Sequence, residues 1–524
     1  MPISFANIPA NIKVPLYWVE VDPSMAGLPS INLRALLVGT MTSDGDATPD
    51  VPIPIGSQAQ ADQHFGLGSE LARMFHAFYK NNLANEVWGL PVAEPVGATA
   101  ATGTVIVAAA ANAAGTIHLY VGGTHVPVTV SPSDTVDNIA TAIADAINAD
   151  DTLPVTATVA TGTVTLTALW KGISGNELTV ALNYYGARGG QTTPVGLDLT
   201  LPATGFLTGG AGVPVFDTAI SNMGEEPFEY VAMPYTDSES LFAWDQEYGF
   251  TDDGRWGWQR QLFGHVFSAK RGTYADLVLF SETLNSGVES IMAVEVDSLS
   301  PCFEWAAAYC GKSQRALVND PARPLQTLSL NNIKIAPINK RWLFSELNSL
   351  ASNGLAIQKA GADNQPMIAR EQTTYRLNLY GQTDDAYELV TTLATLAKLL
   401  RNQRHAITTK FPRHKLANDG TKFGPGQAIV TPGIIKSELI AQYRMDMFNG
   451  LVEDLRNFKR HLIVERDPND PNRVNVLYPP DLINQLRVFA VLAQFRLQYD
   501  RGIDVEIIGA AKPPFNAASG ANAA

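Results

Sequence analysis

Between residues 31 and 94 the chain reads strand, helix, strand, and after a long interruption the same alternation resumes. Residues 31–39, Ile-Asn-Leu-Arg-Ala-Leu-Leu-Val-Gly, predict a buried strand ending on glycine. Phe65, Leu71, Met74, Phe75 and Phe78 mark the apolar side of a helix expected over 58–81, and Glu-Val-Trp-Gly-Leu-Pro-Val at 86–92 predicts a second strand. Two strands joined through a helix pair in parallel, because a parallel crossover needs about that much chain. The rhythm returns with strands expected at 228–235, 264–269 and 290–296, and helices at 238–248, 273–281 and 301–318. A doubly wound α/β core assembled from 31–94 and 211–365 accounts for this pattern.

The interruption, residues 95–210, has another character: it is rich in Ala, Thr, Val and Gly and holds only nine Asp, Glu, Lys or Arg side chains. Val-rich strands are expected at 104–108, 116–121, 126–130, 155–159, 163–169 and 177–183, around one helix over 135–148 capped by Ser133 or Asp134. It reads as an inserted, independently folded β-rich domain.

From residue 366 a third region of α+β type begins. A strand is expected at 372–380, helices at 384–401, with Thr383 as N-cap, and at 433–448 with part of 450–459, and a hairpin from 460–466 and 473–478 across the turn Asp-Pro-Asn-Asp-Pro-Asn. Pro479-Pro480-Asp481 then opens a helix expected over 482–499, and Gly502 releases a short alternating strand at 503–508. The helix's stripe Leu482, Leu486, Phe489, Ala493 and Leu497 is core-like. Arg496 falls on its apolar flank, where a buried ion pair and an arginine reaching a partner both remain open. At the other terminus, residues 12–21 form an apolar extended segment that Pro15 confines to an edge, tethered by the linker 22–30. Each terminal strand either folds back on its own core or is added to the sheet of another subunit.

Charge divides along the chain. Residues 1–365 hold 17 Lys and Arg against 35 Asp and Glu, a net of −18, whereas residues 366–508 hold 19 against 16, a net of +3. Lys398, Arg401, Arg404, Lys410, Arg413 and Lys415 form a run that no carboxylate interrupts between Glu388 and Asp419. Such a run is a solvated face or meets an acidic partner. The acidic chain as a whole, with Phe411 the one aromatic in the run, argues against nucleic acid.

Nothing predicts a metal or cofactor. Gly311-Lys312-Ser313 mimics the end of a phosphate loop, but Ala306 stands where its first glycine belongs. The eight histidines are scattered, and no HExxH, CxxC or GxSxG spacing occurs. Cys302 and Cys310 suit helix packing in a reducing compartment. No apolar run reaches the length of a membrane span and no secretion signal precedes the first strand, so membrane insertion is not expected. Two function classes remain, a structural assembly protein and a hydrolase or carbohydrate-binding protein on an α/β core.

Several segments, in order, resemble the tail sheath proteins of Mu-like contractile bacteriophages. They are Ile-Ser-Phe-Ala-Asn-Ile-Pro at 3–9, Val-Pro-Leu-Tyr at 14–17, Gly-Ser-Glu-Leu-Ala-Arg-Met-Phe at 68–75 and Asn-Glu-Val-Trp at 85–88. Others are Tyr-Val-Ala-Met-Pro-Tyr-Thr-Asp at 230–237, Gly-His-Val-Phe at 264–267, Tyr375-Arg376 and Tyr-Pro-Pro-Asp-Leu-Ile-Asn-Gln-Leu-Arg at 478–487. The resemblance implies no enzymatic activity. It implies a subtilisin-like core and subunits that form stacked hexameric rings and a helical tube around a tail tube protein. Baseplate and tail terminator proteins are the further partners, with assembly in the host cytoplasm and a final place in the virion tail. It also implies exchanged terminal strands on the C-terminal domain. The expected organisation is a linking arm 1–30, the core, an outer domain 95–210, a tube-facing domain 366–500 and a linking strand and tail 501–524. Val14, Leu16, Tyr17, Trp18 and Val19 are assigned to one arm and Ile503, Val505 and Ile507 to the other. Lys398, Arg401, Arg404, Arg413, Lys415, Arg487 and Arg496 are the candidates to face an acidic tube.

Overall fold

The computed structural model describes residues 33–495 and 497. Strand β1 (Arg34–Thr40) is followed by a short β2 (Ile53–Ile55), helices α1 (Gln58–Phe65) and α2 (Glu70–Tyr79), and β3 (Val87–Val92). The single helix expected over 58–81 is thus two. Gly66 and Gly68 adopt φ of +82° and +70°, left-handed conformations that end the first helix. Ser69 restarts the chain, its hydroxyl accepting from the Ala72 N–H at 3.1 Å.

The inserted stretch contains β4 (Ala100–Ala109), β5 (Gly115–Val121), β6 (Thr124–Val130), α3 (Val136–Asn148), β7 (Val155–Ala160), β8 (Thr163–Lys171), β9 (Val180–Leu182) and β10 (Asp198–Thr200). These strands form two antiparallel sheets, ordered β10-β4-β8-β7 and β6-β5-β9. Thr135, not Ser133 or Asp134, caps α3, because the Asp134 carboxylate is taken by the Ser131 N–H at 2.7 Å. The insert does not keep a core to itself. Ile139, Ile143 and Trp170 belong to the same apolar cluster as Phe75 and Trp305 of the α/β body. A mostly buried ion pair, Arg73 to Glu304 at 2.6 Å, reinforces the seam, with Arg73 also donating to the Gly122 carbonyl at 2.7 Å.

The alternation then resumes through α4 (Asp217–Met223), β11 (Phe228–Ala232), α5 (Ser238–Tyr248), β12 (His265–Gly272), α6 (Tyr274–Glu282), β13 (Glu289–Glu295) and α7 (Cys302–Asn319). The six-stranded sheet runs β13-β12-β11-β1-β3-β2, parallel throughout except for the antiparallel β2. Alternate residues of β1 feed opposite faces. Ala35 and Leu37 pack with α2 and α7, and Leu36 and Val38 pack with Trp244 and Tyr248 of α5. The fold is therefore of mixed α/β type, with helices on both faces of the sheet.

Beyond α7 come α8 (Phe344–Ser352), the hairpin β14 (Ile357–Ala360) and β15 (Pro366–Arg370), and a long α9 (Val390–Lys410). The strand expected at 372–380 is instead irregular, because Thr373 and Thr374 turn inward to bond the Tyr387 and Ser286 carbonyls and the chain reverses at Gly381. For the same reason α9 starts later than expected, with Leu389 rather than Thr383 at its cap position. The strands β16 (Lys415–Leu416) and β17 (Ile429–Val430), helices α10 (Pro432–Phe448) and α11 (Leu455–His461), and the hairpin β18 (Ile463–Arg466) with β19 (Val474–Leu477) complete the described fold. These last elements gather around their own apolar cluster, which includes Leu399, Leu439, Tyr443 and Phe458.

The Gly311-Lys312-Ser313 triplet lies inside α7. A Cβ on Gly311 would come within 2.9 Å of the Phe78 ring, so the glycine is there to let α7 approach α2. Gly311→Val is expected to cost about 1–3 kcal/mol of folding free energy through overpacking, measured by urea unfolding; an unchanged midpoint would refute this account.

Candidate assembly surface

The C-terminal lobe holds a strand pair that no other strand among the described residues completes. β18 and β19 pair from Ile463 opposite Leu477 to Arg466 opposite Val474, and neither outer edge has a neighbouring strand among the described residues. Ile463 and Leu477 are exposed. The turn between them is tied by the Asp467 carboxylate, which accepts from the Asn469 and Asp470 N–H groups at 2.8 and 3.0 Å. Below the hairpin, Phe458 stacks on Tyr443 with ring centroids 3.7 Å apart and meets Tyr478 edge-on.

Tyr443 also organises the segment that follows. Its hydroxyl donates to the Glu453 carbonyl at 2.5 Å and accepts from the Asp481 N–H at 3.2 Å. Val452 and Leu482 form an antiparallel bridge, with the Glu453 N–H on the Asp481 carbonyl at 2.9 Å. This pairing holds the chain extended where the helix over 482–499 was expected to begin, and residues 483–495 have no helix. The expected stripe is open to solvent: Leu486 is 71% exposed, Phe489 82% and Leu497 97%. A helix of this length in water takes most of its stability from burying its apolar face, and among the described residues of the stripe only Leu482 packs against an apolar cluster.

The joint between this lobe and the central sheet is ionic. Glu229 on β11 is 4% exposed; it accepts from the Arg34 N–H at 2.9 Å and from the Arg401 guanidinium at 3.3 Å. Burial outweighs the pull of Arg401 and of that backbone N–H, and raises the carboxyl from 4.5 to about 7. Arg401 lies over the Phe263 ring as well. Expected at a tube-facing surface, Arg401 is turned inward, because the desolvated Glu229 carboxyl draws it there.

The other basic candidates are placed differently. Lys398, Arg404, Arg413 and Lys415 are exposed, Lys415 bonding Gln427 at 3.0 Å. Lys410 pairs with Glu438 at 2.6 Å, and Arg487 is half-buried. The arm residues Val14, Leu16, Tyr17, Trp18, Val19, Ile503, Val505 and Ile507, together with Arg496, lie outside the described residues.

Comparison with known proteins places this architecture. Residues 209–374 match the central domain of phage tail sheath proteins and residues 382–496 match the phage tail sheath C-terminal domain. A Mu-like prophage tail sheath protein from Haemophilus influenzae is 40% identical over 499 residues, covering 95% of this chain and all of the relative. The chain belongs to the phage tail sheath family. Solved sheath structures overlap with this sheath protein only coarsely. The sheath tail protein of Desulfitobacterium hafniense superposes with a TM-score of 0.44 at 12% identity, over 90% of this chain and all of that one. The anti-feeding prophage helical sheath in the contracted state superposes with 0.42 at 9%, over 93% and 100%.

As a tail sheath protein it is a structural component of the phage tail and not an enzyme, so the hydrolase and carbohydrate-binding readings are set aside. Among the described residues, no helix is long and apolar enough to cross a membrane. Sequence reasoning missed the Glu229–Arg401 joint. The one available signal was a carboxylate in the otherwise apolar run Phe-Glu-Tyr-Val-Ala, and its partner lies 172 residues away.

A buried acid whose pKa is raised by folding stabilises the fold below its ordinary value and loses that contribution as pH climbs through the raised one. For Glu229 the window is pH 4.5 to about 7, worth on the order of 3 kcal/mol at most. Glu229→Gln is expected to flatten the stability profile across that window and to be more stable than the parent at pH 8. Urea unfolding at pH 5 and pH 8 measures both; an unaltered slope would count against the assignment.

Proposed function

We propose that this sheath protein polymerises as stacked hexameric rings, and so as a helical tube, around a tail tube protein, and contracts to drive that tube through the host envelope. A baseplate and a tail terminator protein would bound the polymer, and assembly would take place in the host cytoplasm. The observation that carries the reading is a hairpin with open edges among the described residues, supported by an exposed apolar segment that follows it in the chain. An exposed strand edge is a template for another chain, and apolar residues left exposed among the described residues are a reason to associate.

In this reading neighbours are joined by exchanged strands. Val14, Leu16, Tyr17, Trp18 and Val19 of one arm and Ile503, Val505 and Ile507 of the other add to β18 and β19 of adjacent copies by main-chain hydrogen bonding. The central sheet is read as a doubly wound, subtilisin-like core without protease chemistry. Its five parallel strands, numbered by their order in the chain, lie in the order 2-1-3-4-5, an order of doubly wound sheets, which supports the doubly wound part of that reading. The domain limits follow the sequence: arm 1–30, core 31–94 with 211–365, outer domain 95–210, tube-facing domain 366–500 and linking strand with tail 501–524. Lys398, Arg404, Arg413, Lys415, Arg487 and Arg496 remain the candidates to meet an acidic tube.

Contraction then needs two lattices of different free energy built from the same subunit. Each copy would bury more surface in the short form, and arms that stay paired pass the change from ring to ring.

Removing residues 1–32, or 486–524, is expected to leave a soluble, folded monomer with the parent's unfolding midpoint and to abolish tubes and rings in negative-stain electron micrographs. Tubes formed by both truncated proteins would overturn strand exchange.

A further inference from the structure

On the sheet face that carries α5 and α6, a cavity of about 360 Å³ opens between these two helices. Its floor is Glu289, the first residue of β13, 2% exposed and with Oε1 buried without a hydrogen-bond partner. Asp245 of α5 lines the same cavity. Burial raises both carboxyl pKa values, and the charge of Asp245 raises that of Glu289 further. Neither carboxylate has an ion pair among the described residues, in contrast to Glu229 and Glu304, which do.

Two cations touch the lining and both are committed elsewhere. Lys270 lies over the Phe280 ring at 5.1 Å, and Arg376 donates to the Ser281 and Leu284 carbonyls. Two neutral side-chain oxygens of the lining are engaged as well. Asn285 Oδ1 accepts from the Arg376 and Leu377 N–H groups, and Ser286 Oγ from the Val288 N–H. What remains is an acidic floor within a lining that also carries the apolar side chains Leu241, Phe242, Phe280 and Leu284, Phe242 being 65% exposed. That profile fits a long side chain with an alkyl stem and a cationic head.

We propose that this cavity receives Lys422 of a second copy of this chain, its head set between Glu289 and Asp245. The inference rests on the polymer reading above. Charge complementarity favours this occupant. Residues 1–365, which hold the cavity, are net negative, and residues 366–508 are net positive. Lys422 is exposed, makes no ion pair among the described residues and is not among the residues assigned to the tube. A desolvated carboxylate pair gains most from a cation that is desolvated with it.

The test uses the full-length protein. With p-benzoylphenylalanine at position 242, irradiation of assembled polymers is expected to link that position to the peptide carrying Lys422 of another copy, read by mass spectrometry. The double variant Glu289→Gln with Asp245→Asn keeps side-chain volume and removes the buried charges. It is expected to raise the critical concentration for polymerisation by about ten-fold or more while its unfolding temperature stays level or rises. Cross-links elsewhere, or a double variant that polymerises at the parental concentration, overturn the inference and leave the sheath polymer standing. Calorimetric binding of Ca²⁺ that the double variant abolishes would assign the cavity to a metal and overturn it too. A parent protein that never polymerises overturns the polymer reading and this inference with it.

Discussion

Strand β1 is dry on both faces, and most of the molecule is a consequence of that. Ala35, Leu36, Leu37 and Val38 are fully buried, and successive residues point into two separate apolar clusters. A strand in this position cannot sit at an edge or face water. It requires partners on each side and a helical layer above and below. Each leucine buried there contributes about 1.5–3 kcal/mol, which fixes the register of β3 on one side and β11 on the other. The insert is tolerated because it enters between β3 and β11, where the chain has already left the sheet.

The parallel core was legible because its periodicity is local. The helix at Ser238–Tyr248 has the expected limits, and each of the five parallel strands lies within a few residues of its expected bounds. What could not be read were features set by distant contacts. The break at Gly66 to Gly68 needed knowledge that Ser69 would be used as a cap. The loop at 372–380 carries a strand-like composition, yet Thr373 and Thr374 are drawn to carbonyls of other segments. The stripe Leu482, Leu486, Phe489 is helical in spacing, but spacing predicts a helix only where something receives its apolar face, and the bridge of Leu482 to Val452 holds the chain extended. Of the candidate surface, the hairpin at 463–477 was visible through its Asp-rich turn. The inward orientation of Arg401 was not, since nothing near it in sequence announces Glu229.

Buried carboxyl groups mark where this sheet ends. Glu70 receives hydrogen bonds from the Thr40 N–H and hydroxyl and from the Tyr235 hydroxyl. Glu295 receives the Gln358 amide, and Glu229 an arginine and a backbone N–H. In each case the cost of desolvation is offset by donors from an adjoining element, so these acids join elements rather than merely occupy the core. Glu289 departs from the pattern, with the same burial and no such donor.

The two apolar centres of the protein also divide its labour. α9 contributes Val390 and Leu393 to the clusters of the α/β body and Leu399 to the C-terminal cluster, and it carries Arg401 to Glu229 between them. The body is thereby closed and can hold its shape alone. The C-terminal lobe is different, because a two-stranded hairpin is marginal by itself and here depends on the Tyr443–Phe458 stack beneath it. Strands added to its edges would stabilise the lobe without altering the body. In the proposed polymer, a subunit joined through such added strands would remain linked while its α/β body is repositioned, because the hairpin and the central sheet pack on different apolar clusters.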